Sequence, residues 1–456
     1  MTVNPLDATS RDIKYIGASL ICQRLKISIS GVRGVYGQDL DLHEVDRFSR
    51  LFANSIKSGR CVLARDTRPS GRILSQAVAA GLMSQGIDVY DLGVAPTPAA
   101  FREARKYVAG VIVTASHNPL EWNGLKFILE GRGLFEDELE VMLQSKPGYP
   151  GKFGQEHVIA STYVEDIADL TKSSAKVRIG IDPGGGAACG YAERVFKQLG
   201  HQYLSVNGVA AISSRGPDPT ADPLADLRSL VTSNNLDYGF ALDLDADRLV
   251  VVSDAGEKLG PDATLLLCVA RAVEMGMKNI VVSIDTSVAI EKYVKSRQGR
   301  VGHSKVGEAN VVRKMLEEDA DAGGEGSSAG FIMPRFNMCR DGLLAAATIS
   351  TLDKKIIQEC MSFASLYGQV RSKVIADSSQ HRAVIDRMEG LLKAEASSIV
   401  TGDGVKAVID EDSWILVRPS NTEHAIRISV ESRSGQEEQL YKKASEKVKA
   451  VYEQIK

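Results

Sequence analysis

The chain has 456 residues, 44% of them hydrophobic and 25% charged, with a formal net charge of −3 at neutral pH; this is the make-up of an ordinary folded chain of roughly three or four domains. That charge excludes a basic surface built for nucleic acid or anionic lipid, so an anionic ligand has to be caught by local side chains. Six cysteines without a C-x-x-C pair argue against a zinc site or a disulfide framework and for a reducing, cytoplasmic setting, and no apolar run is long enough to span a bilayer.

The first residues, up to about residue 21, lack the charged-then-apolar order of a signal peptide and read as an N-terminal appendage. Beyond them one unit recurs. Cys61-Val-Leu-Ala-Arg-Asp66 leads into Thr-Arg-Pro-Ser-Gly71, a helix-like stretch through Ser84 and a second strand, Ile87-Asp-Val-Tyr-Asp91. Val177-Arg-Ile-Gly-Ile-Asp182 leads into Pro-Gly-Gly-Gly186, a helical stretch to Gly200 and the strand Tyr203-Leu-Ser-Val206. Ile280-Val-Val-Ser-Ile-Asp285 leads into Thr-Ser-Val288, a helical stretch through Lys295 and a short strand near Arg300. Strand, Asp, turn, helix and strand in this alternation predict an α/β chain, with three similar mixed-sheet domains at 22–171, 172–263 and 264–368. From 369 to 456 the pattern changes. Strands at Val405-Lys-Ala-Val-Ile409, Trp414-Ile-Leu-Val417 and Ala425-Ile-Arg-Ile-Ser-Val-Glu431 precede a helix from Glu437 to Lys456, whose Leu440, Ala444, Val448, Val451 and Ile455 share one face. This predicts a smaller C-terminal α+β domain.

Chemistry concentrates in a few loops. Thr114-Ala-Ser-His-Asn-Pro119 follows an apolar run and sets a hydroxyl beside an imidazole, but it lacks the G-x-S-x-G elbow, and adjacent strand residues face opposite ways, so Ser116 and His117 do not make a hydrolase pair. The glycine-rich Asp182-Pro-Gly-Gly-Gly-Ala-Ala-Cys-Gly190 lacks the Lys-Ser/Thr of a P-loop and reads as a strand-to-helix turn. In Asp243-Leu-Asp-Ala-Asp-Arg248, alternation along an extended segment brings three carboxylates together, which requires a hard cation such as Mg²⁺ or Ca²⁺. An EF-hand would need Gly where Arg248 stands and a closing Glu where Asp254 stands. Gly324-Glu-Gly-Ser-Ser-Ala-Gly330 offers a carboxylate and hydroxyls in a flexible loop, and Arg418-Pro-Ser-Asn-Thr-Glu-His424 gathers a guanidinium, hydroxyls, an amide and turn N–H groups, the donors that hold a phosphate.

Taken together and in this order, T-A-S-H-N-P, D-L-D-A-D-R, G-E-G-S-S and R-P-S-N-T-E resemble the α-D-phosphohexomutases, as do Ser30-Gly-Val-Arg-Gly34 and Asn123-Gly-Leu-Lys126. The resemblance runs from Ser30 to Glu431 and implies three α/β domains and a smaller fourth around one central cleft. It also implies an enzyme that interconverts hexose 6-phosphate and hexose 1-phosphate through a phosphoserine at Ser116 and a hexose 1,6-bisphosphate, which doubles as activator. Mg²⁺ would be held by Ser116, Asp243, Asp245 and Asp247. Arg33, Lys126 and Arg248 would supply catalytic charge, and His117, Asn118, Lys305, Glu325, Ser327, Arg418, Ser420, Asn421, Thr422 and Arg427 would bind the substrate. The partner would be a small sugar phosphate and the protein a monomer or homodimer, with phosphoglucosamine mutase favoured over phosphomannomutase or phosphoglucomutase by the G-G-E-G and D-G-V-K forms of two loops. A phosphatase and a non-catalytic sugar-phosphate binder are the other readings. The chain departs from the pattern at Leu244, where many relatives have Gly, at Asn421, and at Ser328-Ala-Gly330, where several relatives carry S-G-H with a histidine proposed for proton transfer. Lys126 and His303 are the candidates to replace that histidine.

Overall fold

The computed structural model describes residues 25–149, 151–328, 330–420 and 424–456; the N-terminal appendage, Asn421 and Thr422 lie outside the described residues. The recurring unit is present three times. In the second, Arg178–Asp182 runs parallel to Gln202–Ser205 and to Tyr238–Leu242, and Leu249–Ser253 closes the sheet antiparallel. In the third, Asn279–Ser283 runs parallel to Arg300–Ser304 and Ala322–Glu325, with Gly330–Ile332 antiparallel at the end. The first repeats this order with Asp88–Val94, Arg60–Arg65, Ala109–Val113 and the antiparallel Trp122–Leu129, then extends to eight strands. Ala109–Val113, Tyr238–Leu242 and Asn279–Ser283 are buried at every position, which fits strands covered by helices on both faces and explains their unbroken apolar runs. In each unit the connection between the last parallel strand and the antiparallel one carries a functional motif: Ser116, the acidic run, and the Glu325 loop.

Phe101, Tyr163, Phe196, Phe240, Leu266, Phe331 and Leu343 belong to one continuous apolar core spanning the three α/β units. The last part is separate. Tyr367–Ile375, Ala425–Arg433, Trp414–Pro419, Val405–Val408 and Ser398–Thr401 form an antiparallel sheet covered by the helices His381–Lys393 and Glu437–Ile455, with its own core around Val384, Met388, Ile428 and Val448.

This C-terminal body meets the third unit through an apolar contact of Trp414 and Leu416 with Ile284 and through several polar groups. Glu431 accepts hydrogen bonds from the Val288 N–H at 2.9 Å, the Trp414 indole N–H at 2.6 Å and the Ser287 hydroxyl. Arg371 donates to Asp262 Oδ2 and to the Asp285 carbonyl, each at 2.8 Å. Burial raises the Glu431 carboxyl from 4.5 to about 7, against the pull of those donors. Between these two values the folded chain keeps a proton that the unfolded chain has released. The group therefore lowers stability as pH rises through that window, by roughly 3 kcal/mol in all. Glu431→Gln is expected to flatten that part of the pH–stability curve, measured by thermal denaturation.

Candidate active site

The strand Ala109–Val113 delivers the chain to Ser116, whose φ of +51° is unusual for a residue with a side chain. Its surroundings hold it there. Its N–H donates to Thr114 Oγ1 at 2.9 Å, and the Thr114 hydroxyl donates to Asp66 Oδ2 at 2.6 Å. Arg68, buried and bonded through Nε to Asp66 Oδ2 at 3.1 Å, donates to the carbonyls of Ser116 and Asn118 at 2.6 Å each, to that of Trp122 at 2.9 Å, and to that of Pro119. The aspartate that ends the first repeat strand is thus one half of a clamp on the serine loop. Sequence reasoning marked Asp66 only as a repeat feature and passed over Arg68. Arg68→Met leaves Asp66 buried without its counter-charge, so about 3–5 kcal/mol of stability should be lost, seen as a lower denaturation midpoint.

Ser116 donates its hydroxyl hydrogen to Asp243 Oδ2 at 2.7 Å, while His117 Nδ1 stands 3.4 Å from the Ser116 hydroxyl oxygen. Burial, reinforced by the charge of Arg248, pushes His117 down to about 3. The Ser116 hydroxyl is turned to Asp243 and not to the imidazole, so the pair is not arranged as a hydrolase dyad.

The acidic run is not the extended segment that the alternation predicts. It forms a tight turn between Tyr238–Leu242 and Leu249–Ser253, with Ala246 at φ +60°. The turn still converges Asp243, Asp245 and Asp247, all fully buried, with ligand oxygens within 4.8 Å of one another. The glycine-rich turn of the second repeat supports it. The Ala187 N–H donates to the Leu244 carbonyl at 2.7 Å, and a Cβ on Gly186 would lie 2.6 Å from that oxygen.

Lys126 Nζ donates to Asp245 Oδ2 and Asp247 Oδ2 at 2.8 Å each, and Thr97 donates to Asp245 Oδ2 at 2.7 Å. Oδ1 of Asp245 and Oδ1 of Asp247 are buried with no hydrogen-bond partner. A buried acceptor without a partner is costly. Two of them in an all-oxygen set beside the serine hydroxyl fit a hard divalent cation, Mg²⁺ above all. Burial and its two acidic neighbours push the Asp243 carboxyl well above its ordinary value. Burial also acts against Asp247, yet Arg340, Lys126 and Arg248 outweigh it and hold that carboxyl well below.

Ser116 and Lys126, which bond the acidic turn, open onto a cleft of about 340 Å³. Arg33, Ser116, His117, Asn118 and Lys126 reach it from the first unit, Arg248 from the second, Glu325 from the third and Arg427 from the C-terminal body. Arg33 donates to Asn118 Oδ1 at 3.2 Å, and the Arg248 N–H donates to Asp243 Oδ1 at 3.1 Å. The Glu325 segment is not a flexible loop: Glu325 ends the strand Ala322–Glu325, a 3₁₀ turn Gly326–Ser328 follows, and Glu325 Oε1 accepts the Gly307 N–H at 2.7 Å. Ser327 is half-buried in that turn. In the phosphate motif Ser420 is buried and accepts from Arg427 Nε at 3.3 Å, while Arg418 is half-buried on the neighbouring strand.

Lys305 and His303 are exposed and line a separate cavity of about 620 Å³ between the first and third units. His303 Nε2 lies 3.2 Å from Glu291 on the outer side. For Lys126, burial opposes the charged form, but Asp245, Asp247 and Glu308 keep the ammonium protonated above its usual range. Lys126→Met is therefore expected to cut turnover about 10²-fold, as loss of a preorganised charge does, while His303→Ala leaves it near wild type; the reverse order in steady-state kinetics would overturn this ranking. Thr97, Glu308 and Arg340 are further site residues that sequence reasoning missed; no motif or periodicity marks them.

Models of the phosphoglucomutase/phosphomannomutase family match the chain throughout: α/β/α domain I at 24–145, domain II at 161–256, domain III at 260–370 and the C-terminal domain at 372–447. A protein of Methanobrevibacter smithii named probable phosphoglucosamine mutase is 31% identical, covering 92% of this chain and 97% of its own length. A phosphoglucomutase/phosphomannomutase of Thermococcus kodakarensis is 32% identical over 90% of this chain and 95% of its own. The crystal structure of a phosphoglucomutase/phosphomannomutase family protein from Burkholderia thailandensis superposes with a TM-score of 0.79 at 24% identity, covering 94% of this chain and 98% of that one. The chain belongs to the phosphoglucomutase/phosphomannomutase family of α-D-phosphohexomutases. It is a phosphohexomutase, an isomerase of the phosphotransferase kind. Among the described residues no helix is long and apolar enough to cross a membrane.

Proposed function

We propose that the protein interconverts hexose 6-phosphate and hexose 1-phosphate through phosphoserine 116 and a hexose 1,6-bisphosphate, with glucosamine phosphate as the preferred substrate. The observation that carries this reading is the Ser116 hydroxyl, 2.7 Å from Asp243, at the floor of a cleft to which all four parts of the chain contribute. The free hydroxyl of the sugar phosphate attacks the phosphoryl group on Ser116; the O–P bond to serine breaks as the bond to the sugar forms, and the hydroxyl proton leaves to a group of the cleft. The bisphosphate reorients, and its other phosphoryl group returns to Ser116. Asp243, Asp245 and Asp247 would hold Mg²⁺ beside Ser116, where it supplies neutralising charge at the transferring group. Arg33, Lys126 and Arg248 add fixed positive charge. Glu325 and Ser327 hold sugar hydroxyls, helped by His117 and Asn118, and the other phosphate rests on Arg418, Ser420, Asn421, Thr422 and Arg427; Lys305, which lines the separate cavity, is not among them. The divisions at 171/172, 263/264 and 368/369 are part of the same reading, as are a hexose bisphosphate activator and a cytoplasmic setting, in keeping with five free cysteines among the described residues.

The substrate preference leans on relatives near 30% identity named probable phosphoglucosamine mutase. The similarly close relative named phosphoglucomutase/phosphomannomutase supports broader specificity as the second reading. A side-by-side assay of the 1-phosphates of glucosamine, glucose and mannose, with Mg²⁺ and bisphosphate supplied, separates them. Fastest turnover is expected with glucosamine 1-phosphate; equal rates would reject the preference, and release of inorganic phosphate without isomer would point to a phosphatase.

A further inference from the structure

The sugar loop lacks a histidine, yet the structure places a cation against it from a distant part of the sequence. Arg340 lies between the strand Gly330–Ile332 and the helix Gly342–Ser350, lines the cleft and is largely buried. Its guanidinium meets three carboxylates. Nη2 donates to Asp247 Oδ2 at 2.7 Å, Nη1 to Glu325 Oε2 at 3.3 Å, and Nε to Glu308 Oε2 at 3.2 Å. Its own N–H also donates to Glu308, at 3.0 Å. Among the described residues, no other cation pairs with both a carboxylate of the metal turn and the carboxylate of the sugar loop.

Three details indicate a built arrangement. The backbone beside Arg340 is pinned, because Asp341 accepts from Tyr163 at 2.5 Å and caps the next helix through the Leu344 N–H at 2.9 Å. Space for the side chain exists only because residue 330 is glycine: a Cβ there would lie 2.2 Å from Arg340 Cδ. Finally, Arg340 and Lys126 both bond Oδ2 of Asp247, which fixes the rotation of that carboxylate and leaves Oδ1 without a hydrogen-bond partner. Arg340 thus orients a metal carboxylate and, through the same planar group, fixes the spacing to Glu325.

We propose that Arg340 is a positioning residue for phosphoryl transfer, locking the metal turn and the sugar-hydroxyl carboxylate Glu325 into one geometry. This rests on the phosphohexomutase reading and deepens it. Without the guanidinium, Asp247 and Glu325 lose their shared counter-charge, and no planar group sets the spacing between them. Lysine cannot substitute, since a single ammonium does not reproduce a planar fork that addresses three carboxylates.

The test compares wild type with R340K, R340M and Gly330→Ala, the last crowding the guanidinium while keeping its charge. Four quantities are read: kcat and KM for the hexose 1-phosphate, Ser116 phosphorylation by intact mass, Mn²⁺ affinity by electron paramagnetic resonance, and the denaturation midpoint. In R340K and R340M a misplaced reacting group should lower kcat on the order of 10²-fold, with KM little changed and Mn²⁺ held more weakly. R340K should regain the wild-type midpoint without regaining kcat, and Gly330→Ala should reproduce the kcat defect. Wild-type kcat and Mn²⁺ affinity in R340K would overturn the proposal, as would a kcat loss that R340K fully rescues. If R340M does not fold, R340K and Gly330→Ala decide. If the wild type is inert toward every hexose phosphate, the functional reading falls instead, and equal Mn²⁺ affinity in wild type and R340K would still overturn the role given to Arg340.

Discussion

Ser116→Ala is expected to abolish mutase activity, by on the order of 10⁴-fold or more, as removal of a covalent nucleophile does, and to leave a protein that no longer takes up phosphate. The substitution deletes one oxygen. The loop conformation is held by bonds to the backbone of residue 116, the N–H to Thr114 and the carbonyl to Arg68, so the variant should fold, with stability lowered by no more than the roughly 1–3 kcal/mol that loss of the donor to Asp243 costs. The other hydroxyls of the region are committed elsewhere, Thr114 to Asp66 and Thr97 to Asp245. Intact-mass measurement after incubation with a hexose bisphosphate is the direct check. Wild type should gain the mass of one phosphoryl group and the variant none; a phosphorylated alanine variant would remove Ser116 from the mechanism.

Asp243→Asn should show an opposed pair of effects. Activity should fall on the order of 10³-fold, because a preorganised charge at the transferring phosphoryl group is lost, and chelation of the wild type should give a comparable loss that Mg²⁺ reverses. The metal-free protein should nevertheless be at least as stable as wild type. Burial and the neighbouring acids already disfavour the Asp243 charge, and an amide can still accept the Arg248 N–H through its oxygen. Removing a like charge from a buried triplet relieves repulsion. A variant that loses activity and metal-free stability together would indicate a structural role for Asp243 instead.

The three repeated units were legible because their signal is local: an apolar run ending in Asp, a turn, a helix. The cleft motifs were legible for the same reason, each being a short run of polar residues between two strands. What the sequence hid was long-range. Arg68 acts on carbonyls some fifty residues away, and Arg340 reaches Asp247 across 93 positions; neither stands in a periodic or polar run. The acidic run shows how a correct conclusion can follow from an incorrect geometry, since a turn with Ala246 at positive φ gathers the same carboxylates that alternation along a strand would. The strand Tyr367–Ile375, edge of the last sheet, was not anticipated. Its side chains are mostly half-buried or exposed, so it offers little hydrophobic contrast.

The Ser116, Asp243–Asp247 and Glu325 segments occupy one topological position, repeated three times. Each is tethered at both ends by a strand already registered in its sheet, so its composition can drift without disturbing the scaffold on either side. One architectural position thus carries three polar segments of different composition: a hydroxyl, a carboxylate triplet and a single carboxylate. The three segments meet only because the three units share one core, so the cleft is a product of how the repeats pack against one another and belongs to no single repeat.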